Sequence, residues 1–196
     1  MLGRGQIQKM LRDMVKAGCK YAVVETSSEG ILQYRHIGLN YDVAVFTNLG
    51  TEHSERHGGF ENLKSDKGKL FAALSAPNKI LAGKKVPKIS VVNGDDENAE
   101  FYLKYKADEK WVFGMRPGIM NHELRIMEAS DVVSDNCGSR FMIHNSKFII
   151  HLLGEFNIPN ALAAIAVGKS QGISEEKIAE GIASVKLVEG RMEFID

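Results

Sequence analysis

At 196 residues the chain has room for one domain, or one domain with a small lobe. With 44% hydrophobic and 26% charged residues it can bury a sizeable core, which argues against a disordered chain. Its formal net charge of zero gives no electrostatic case for a nucleic-acid or bilayer surface, and no apolar run approaches the roughly 20 residues that span a membrane. The elements follow in chain order. Ile7, Met10, Leu11, Met14 and Val15 recur at helical spacing, and Gly18 is a fitting stop. This start is charged and amphipathic, without the apolar centre of a signal peptide. Tyr21 to Glu25 reads as a buried strand, and Ser27 to Gln33 as the opening of a short helix. Tyr41 to Asn48 is a second apolar strand, Phe60 to Leu74 a helix, and Ile89 to Asn93 a third strand. Gly94-Asp95-Asp96 then leads into a helix ending near Tyr105, and Trp111 to Phe113 forms a short fourth strand.

Apolar runs alternating with helices predict an α/β fold, a mostly parallel sheet covered by helices on both faces. The texture changes after it. Leu124 to Val133, Arg140 to Ile143 and Lys147 to Leu153 are extended, with turns at Gly138 and Asn145-Ser146. We expect a small antiparallel β lobe over 120–153, set on a body formed by 1–115 and 154–196. Two helices close the body, Ile158–Ser170 and Glu175–Val185. Ser174 is the expected N-cap of the second, and Glu175 and Glu176 suit its dipole. Gly190 to Asp196 begins like another strand. Cys19 and Cys137 lie far apart with no CxxC pattern, which fits cytoplasmic thiols better than a disulfide.

Three residues break the pattern in ways that chemistry uses. Glu25 ends an apolar run, where a carboxylate either holds a cation or caps the next helix. His53 follows the second strand through Thr47-Asn48-Leu49-Gly50-Thr51-Glu52, as a ligand or as a hydrogen-bonding residue; His57 beside Gly58-Gly59 is equally open. Lys67 occupies a slot on the stripe Leu63, Lys67, Leu70, Phe71, Leu74 that patterning reserves for an apolar side chain. Partial burial favours the neutral amine, which reacts with carbon dioxide to give a carbamate; the alternative is a lysine that snorkels at the core rim. Gly168-Lys169-Ser170 resembles the end of a phosphate loop, but Ala163 stands where the first glycine belongs and the segment reads as helix.

Taken in order, Val24-Glu25-Thr26-Ser27-Ser28-Glu29-Gly30, Gln33-Tyr34-Arg35, Phe46-Thr47-Asn48-Leu49, Glu52-His53, His57-Gly58, the Lys67 helix, Asn93-Gly94-Asp95-Asp96, Gly154 to Ala161 and Gly190-Arg191-Met192-Glu193 resemble the central domain of the Mur ligases. The resemblance runs from about residue 5 to the end. It implies an ATP- and Mg²⁺-dependent ligase of peptidoglycan synthesis that joins an amino acid to a UDP-MurNAc-dipeptide through an acyl phosphate. By position, Glu25 and His53 are implied Mg²⁺ ligands, and Lys67 is the implied carbamylated lysine that supports a second Mg²⁺. Ser27, Gln33 and Arg35 are implied contacts of the UDP-muramyl-peptide. Asn157 and Asn160 are placed near the adenine, and Arg191 near the ATP phosphates.

Two departures accompany the resemblance. Glu52 stands where the family usually has Asp before the metal histidine. The family's Gly-rich phosphate loop has no counterpart in the chain, nor do the domains that flank the central one. The expectation is therefore a fragment that does not turn over alone. A folylpolyglutamate- or cyanophycin-synthetase-like ligase, and a non-catalytic remnant that binds a nucleotide or a partner, are the competing readings.

Overall fold

The apolar runs assemble where each finds a neighbouring strand. The computed structural model describes residues 4–51, 54–119 and 121–188. Its main sheet holds β1 (Val43–Phe46), β4 (Ile89–Asn93), β5 (Glu109–Gly114) and β6 (Arg125–Glu128), in that order and all parallel. Between β1 and β4 lie α3 (Phe60–Ala72) and a small hairpin of β2 (Ile80–Leu81) and β3 (Lys84–Lys85). The helix α4 (Ala99–Leu103) joins β4 to β5.

Side chains alternate across this sheet as the strand period requires. Ala44, Phe46 and Val92 point to one face and pack with Leu63, Phe71, Leu74 and Tyr102 of the α3–α4 layer. Ile89, Val91, Trp111 and Phe113 point to the other face. There they meet α5 (Asn157–Ser170) through Ile158, Leu162, Ile165 and Ala166. That second cluster extends into an antiparallel sheet of β7 (Ser130–Asp135), β8 (Gly138–Ile143) and β9 (Ser146–Ile150), which contributes Phe141, Ile143, Phe148 and Ile150. Each of these buried side chains is worth roughly 1.5–3 kcal/mol of transfer energy. The small sheet is thus fastened to the body by shared core. α6 (Glu175–Ser184) covers its outer strand, and Ile178 of α6 meets Gly168 of α5.

Several expectations hold. β4 and the α3 and α5 helices lie where periodicity placed them, and Gly168-Lys169-Ser170 is the last turn of α5, with Lys169 bonded to Glu175. Others are corrected. Tyr21 to Glu25 is not a strand: the segment is irregular, Tyr21 is exposed, and Val23 is 98% exposed. No strand among the described residues pairs with it, and the Val24 carbonyl accepts instead from the Thr26 hydroxyl at 3.3 Å. Leu124 to Val133 divides in two: Arg125–Glu128 joins the parallel sheet beside β5, and only the part from Ser130 enters the antiparallel one. The helix after Asp96 ends at Leu103. In the first helix, α1 (Arg4–Lys16), Ile7 is buried while Met10 and Val15 are exposed, so its stripe is only partly used. Ser174 has the extended backbone of an N-cap, but its hydroxyl makes no capping bond. The run from Gly190 lies outside the described residues.

Candidate functional site

The carboxyl end of the parallel sheet is where open α/β folds place their ligands. Here three short polar side chains knit the strand exits together. The Asn93 side-chain amide donates to the Thr47 carbonyl at 2.7 Å, and its oxygen accepts from the Asp95 N–H at 3.0 Å. The Asp95 carboxylate accepts from the N–H groups of Met115 (2.6 Å) and Arg116 (2.9 Å), just past β5. Gly114 makes this possible, because a Cβ there would stand 2.4 Å from an Asp95 carboxylate oxygen. Asp96 accepts from the Leu49 N–H at 2.9 Å, and its other oxygen takes the Asn98 N–H at 2.8 Å.

Lys67 reaches this end from α3. Its Nζ donates to the Asn48 carbonyl at 3.2 Å. The side chain is half-buried, and no carboxylate lies within ion-pair distance of it among the described residues. Burial draws its ammonium below the ordinary lysine value, and the more distant negative charge of Asp96 opposes that shift. A lysine with this bias exposes more neutral amine near physiological pH than a solvated one.

One turn away, His57 is buried, and its Nδ1 donates to Asp66 at 2.7 Å. The other Asp66 oxygen accepts from Lys69 at 2.6 Å. Burial raises the Asp66 carboxyl, but hydrogen bonds from His57 and Lys69 outweigh it and leave the group below its ordinary value. His57 is therefore committed to α3. It ties the short 3₁₀ turn Ser54–His57 to the helix that carries Lys67.

The remaining sequence-predicted residues fall into separate groups. Glu25 is exposed on the irregular segment. It lines a narrow cleft with Val24, Thr26, Arg35, His36 and Tyr41. Burial raises the Tyr41 phenol there, partly offset by a hydrogen bond with Thr26. Ser27 caps α2 (Ser28–Leu32), accepting from the Gly30 N–H at 3.1 Å, and Arg35 donates to the Gln33 side chain. Asn157 donates to the Leu153 carbonyl at 2.8 Å, and Asn160 donates to the Asn157 side-chain oxygen at 3.3 Å, both in the first turn of α5. The structure thus brings Glu25 and Arg35 into one cleft and the two asparagines into one turn. No hydrogen bond or ion pair links Glu25, Lys67 and Asn157 among the described residues. Glu52, His53 and Arg191 lie outside the described residues.

As for a divalent cation, the described residues contain no group of three or more His, Cys, Asp or Glu placed to hold one. Of the residues expected to hold one, Glu25 is solvent-accessible and Lys67 is half-buried, and no hydrogen bond or ion pair joins them among the described residues. Asp96 is already occupied by N–H donors. Sequence reasoning assigned no role to Asn93, Asp95 or Asp96. The available signal was two acids one residue beyond the end of a largely apolar strand.

A parallel sheet whose carboxyl end gathers a half-buried lysine and backbone-binding acids defines an open α/β fold with its polar groups at the ligand-binding edge. The family profile described as the Mur ligase middle domain matches residues 4–168, and the chain belongs to that family. It is 36% identical over 197 residues to the UDP-N-acetylmuramyl-tripeptide synthetase of Roseiflexus sp. (strain RS-1), covering 97% of this chain and 38% of that protein. Over 193 residues it is 36% identical to the UDP-N-acetylmuramoyl-L-alanyl-D-glutamate--2,6-diaminopimelate ligase of Geobacillus kaustophilus, with the same two coverages of 97% and 38%. A solved UDP-N-acetylmuramoyl-L-alanyl-D-glutamate--2,6-diaminopimelate ligase superposes with a TM-score of 0.81 at 25% identity, over 100% of this chain and 39% of that one. The MurF ligase of Thermotoga maritima, solved in complex with ADP, shares the fold at a TM-score of 0.61 and 21% identity, over 87% and 36% of the two chains. The chain therefore spans about 38% of the length of the curated relatives it matches.

Proposed function

We propose that this chain is the central portion of a cytoplasmic ATP-dependent ligase that extends UDP-MurNAc-dipeptide by one amino acid in peptidoglycan synthesis. The substrate carboxylate attacks the γ-phosphorus of ATP, ADP leaves, and an acyl phosphate results. The amino acid's amine then attacks the acyl carbon, losing a proton as phosphate departs. Holding the reactants in line and neutralising phosphate charge are what the protein must supply. Glu25, His53 and Lys67, the last as its carbamate, would hold Mg²⁺, which lowers the charge on the phosphates when bound. Ser27, Gln33 and Arg35 would contact the UDP-muramyl-peptide. Asn157 and Asn160 would meet the adenine, and Arg191 the phosphates.

The observation that carries this reading is Lys67. An amine on an otherwise apolar stripe, drawn toward neutrality by burial and reaching the exit of β1, is poor design for stability and good design for carbamylation. Two measurements test it. In ¹³C-bicarbonate near pH 8 the chain should show one carbamate carbonyl resonance that Lys67→Met removes. In calorimetric titration with Mg²⁺ present, UDP-MurNAc-dipeptide should bind and folate should not. A carbamate signal that survives Lys67→Met, or binding of folate in place of the muramyl nucleotide, overturns the proposal.

A further inference from the structure

We propose that Asn93 and Asp96 are positioning residues, which hold the exit of β1 so that the Lys67 amine is presented at the carboxyl end of the sheet. This rests on the ligase reading for its purpose, though not for its geometry. The ladder between β1 and β4 ends at the pair Phe46 and Val92. Beyond it three backbone groups of the next two peptide units have no strand partner among the described residues, and each is taken by a side chain from a different place. The Thr47 carbonyl accepts from Asn93 at the end of β4 (2.7 Å), and the Asn48 carbonyl accepts from Lys67 of α3 (3.2 Å). The Leu49 N–H donates to Asp96 in the loop after β4 (2.9 Å). Side chains thus continue the ladder by three residues.

The two β4-side members are themselves locked. Asn93 is buried, and its second polar atom is used by the Asp95 N–H. Asp96 is held by the N–H (2.8 Å) and side-chain amide (3.1 Å) of Asn98, which is also buried. Lys67 is the variable member, because a lysine Nζ has three donors and a four-carbon stem. Among the described residues its hydrogen-bonding anchor is the Asn48 carbonyl. That carbonyl is fixed by its two neighbours, which are gripped by Asn93 and Asp96. Released from them, residues 47–49 lose their register, and with it the acceptor that orients Lys67.

The test uses the chain without nucleotide or metal. Amide exchange is read at Leu49, Val91 and Val112, and acetylation by acetic anhydride is read by mass spectrometry as the ratio of Lys67 to Lys64 on the same helix. In Asp96→Ala, Leu49 exchange should speed up about tenfold, the effect of one charge-assisted hydrogen bond, with Val91 and Val112 still protected. The Lys67 to Lys64 ratio should rise about threefold as the amine loses its anchor. Asn93→Ala should raise the ratio as well. Asp96→Asn leaves one oxygen to serve the Leu49 and Asn98 donors, so Leu49 protection should fall between that of the parent and that of Asp96→Ala. An unchanged ratio in both alanine variants would falsify the assignment. So would an equal loss of protection at Val91 and Val112, which would make the two residues general supports of the fold. If instead the ligase reading fails, UDP-MurNAc-dipeptide binding is absent while the exchange and acetylation results stand unchanged.

Discussion

The two ends of the parallel sheet are built from the same residue types to opposite purposes. At the amino end, Lys88, Asp42, Lys79, Asp108 and Lys85 are paired with one another. Lys88, whose side chain is 3% exposed, donates to the Asn40 side chain, the Tyr41 carbonyl and Asp42, and Asp42 also pairs with Lys79 at 2.6 Å. Asp108 takes the Lys88 N–H, the Asn78 side chain and Lys85. At the carboxyl end, the acids spend their oxygens chiefly on backbone N–H groups, and among the described residues Lys67 meets a carbonyl with no carboxylate in ion-pair range. A charge matched by a counter-charge serves the fold. A lysine left half-buried without one costs stability and stays available for chemistry. The difference marks which end holds the fold together and which presents a site.

The sharpest way to break this comparison is to remove one lysine from each end. Lys88→Met leaves Asn40 and the Tyr41 carbonyl without their buried donor and Asp42 with Lys79 alone, and it should cost on the order of 3 kcal/mol, the usual result of breaking a buried charged network. Lys67→Met fills an apolar slot with an apolar side chain of similar length, so its cost should be near zero or slightly negative. Urea denaturation midpoints at pH 7 read both. Equal losses would show that Lys67 is structural after all.

A second measurement sharpens the carboxyl end by moving the helix that carries Lys67. Gly68 lets α3 approach the residues around α4: a Cβ there would lie 2.2 Å from the Tyr105 hydroxyl oxygen and 3.1 Å from a Phe101 ring carbon. Tyr105 is half-buried, so it must shift or push the helix away. Gly68→Ala should destabilise the chain by about 1–3 kcal/mol, despite alanine's better helix propensity, because overpacking outweighs the roughly 1 kcal/mol gained from replacing glycine. Thermal unfolding reads the sign. A stabilised variant would mean that α3 has slack at this point and that the seat of Lys67 is loose.

These contrasts also show what the amino-acid pattern carries and what it does not. β4, α3 and α5 were legible because each buries a strong period: β4 is apolar on both faces, α3 has one stripe, and α5 is small and apolar nearly all round. Tyr21 to Glu25 has a similar local texture to β4 but lacks a neighbouring strand among the described residues, and a strand exists only as part of a ladder. The segment from Leu124 was read as one extended run because its pattern is the same on either side of Ala129. Whether a strand joins a parallel or an antiparallel neighbour is decided by the partners that tertiary structure brings. Lys67 was visible because it violates a period. Asn93 and Asp96 violate nothing, since short polar residues after a strand are ordinary turn formers. Their role appears only when Thr47 and Leu49 come within reach.

The smallest expected effect tests the amino end from the acid side. Hydrogen bonds from the Lys88 backbone, then Asn78 and Lys85, hold the Asp108 carboxyl down to about 2 from an ordinary value of 3.8. The folded chain therefore binds this proton less tightly than the unfolded chain. Linkage makes the resulting stability complete above the unfolded value, and it drains away as pH falls from about 4 toward 2. Asp108 is solvent-accessible, so screening trims the contribution, and the signature is a slope in pH more than a large loss. Urea midpoints measured between pH 7 and pH 2.5 should fall more steeply for the parent chain than for Asp108→Asn, with the two curves drawing together at the acid end. Lys67→Met should leave this acid slope unchanged, because the charge it removes lies at the opposite end of the sheet. Parallel curves for the parent and Asp108→Asn would mean that the hydrogen bonds around Asp108 do not lower its carboxyl on folding, and the strength of the amino end would then rest on the Lys88, Asp42 and Lys79 network.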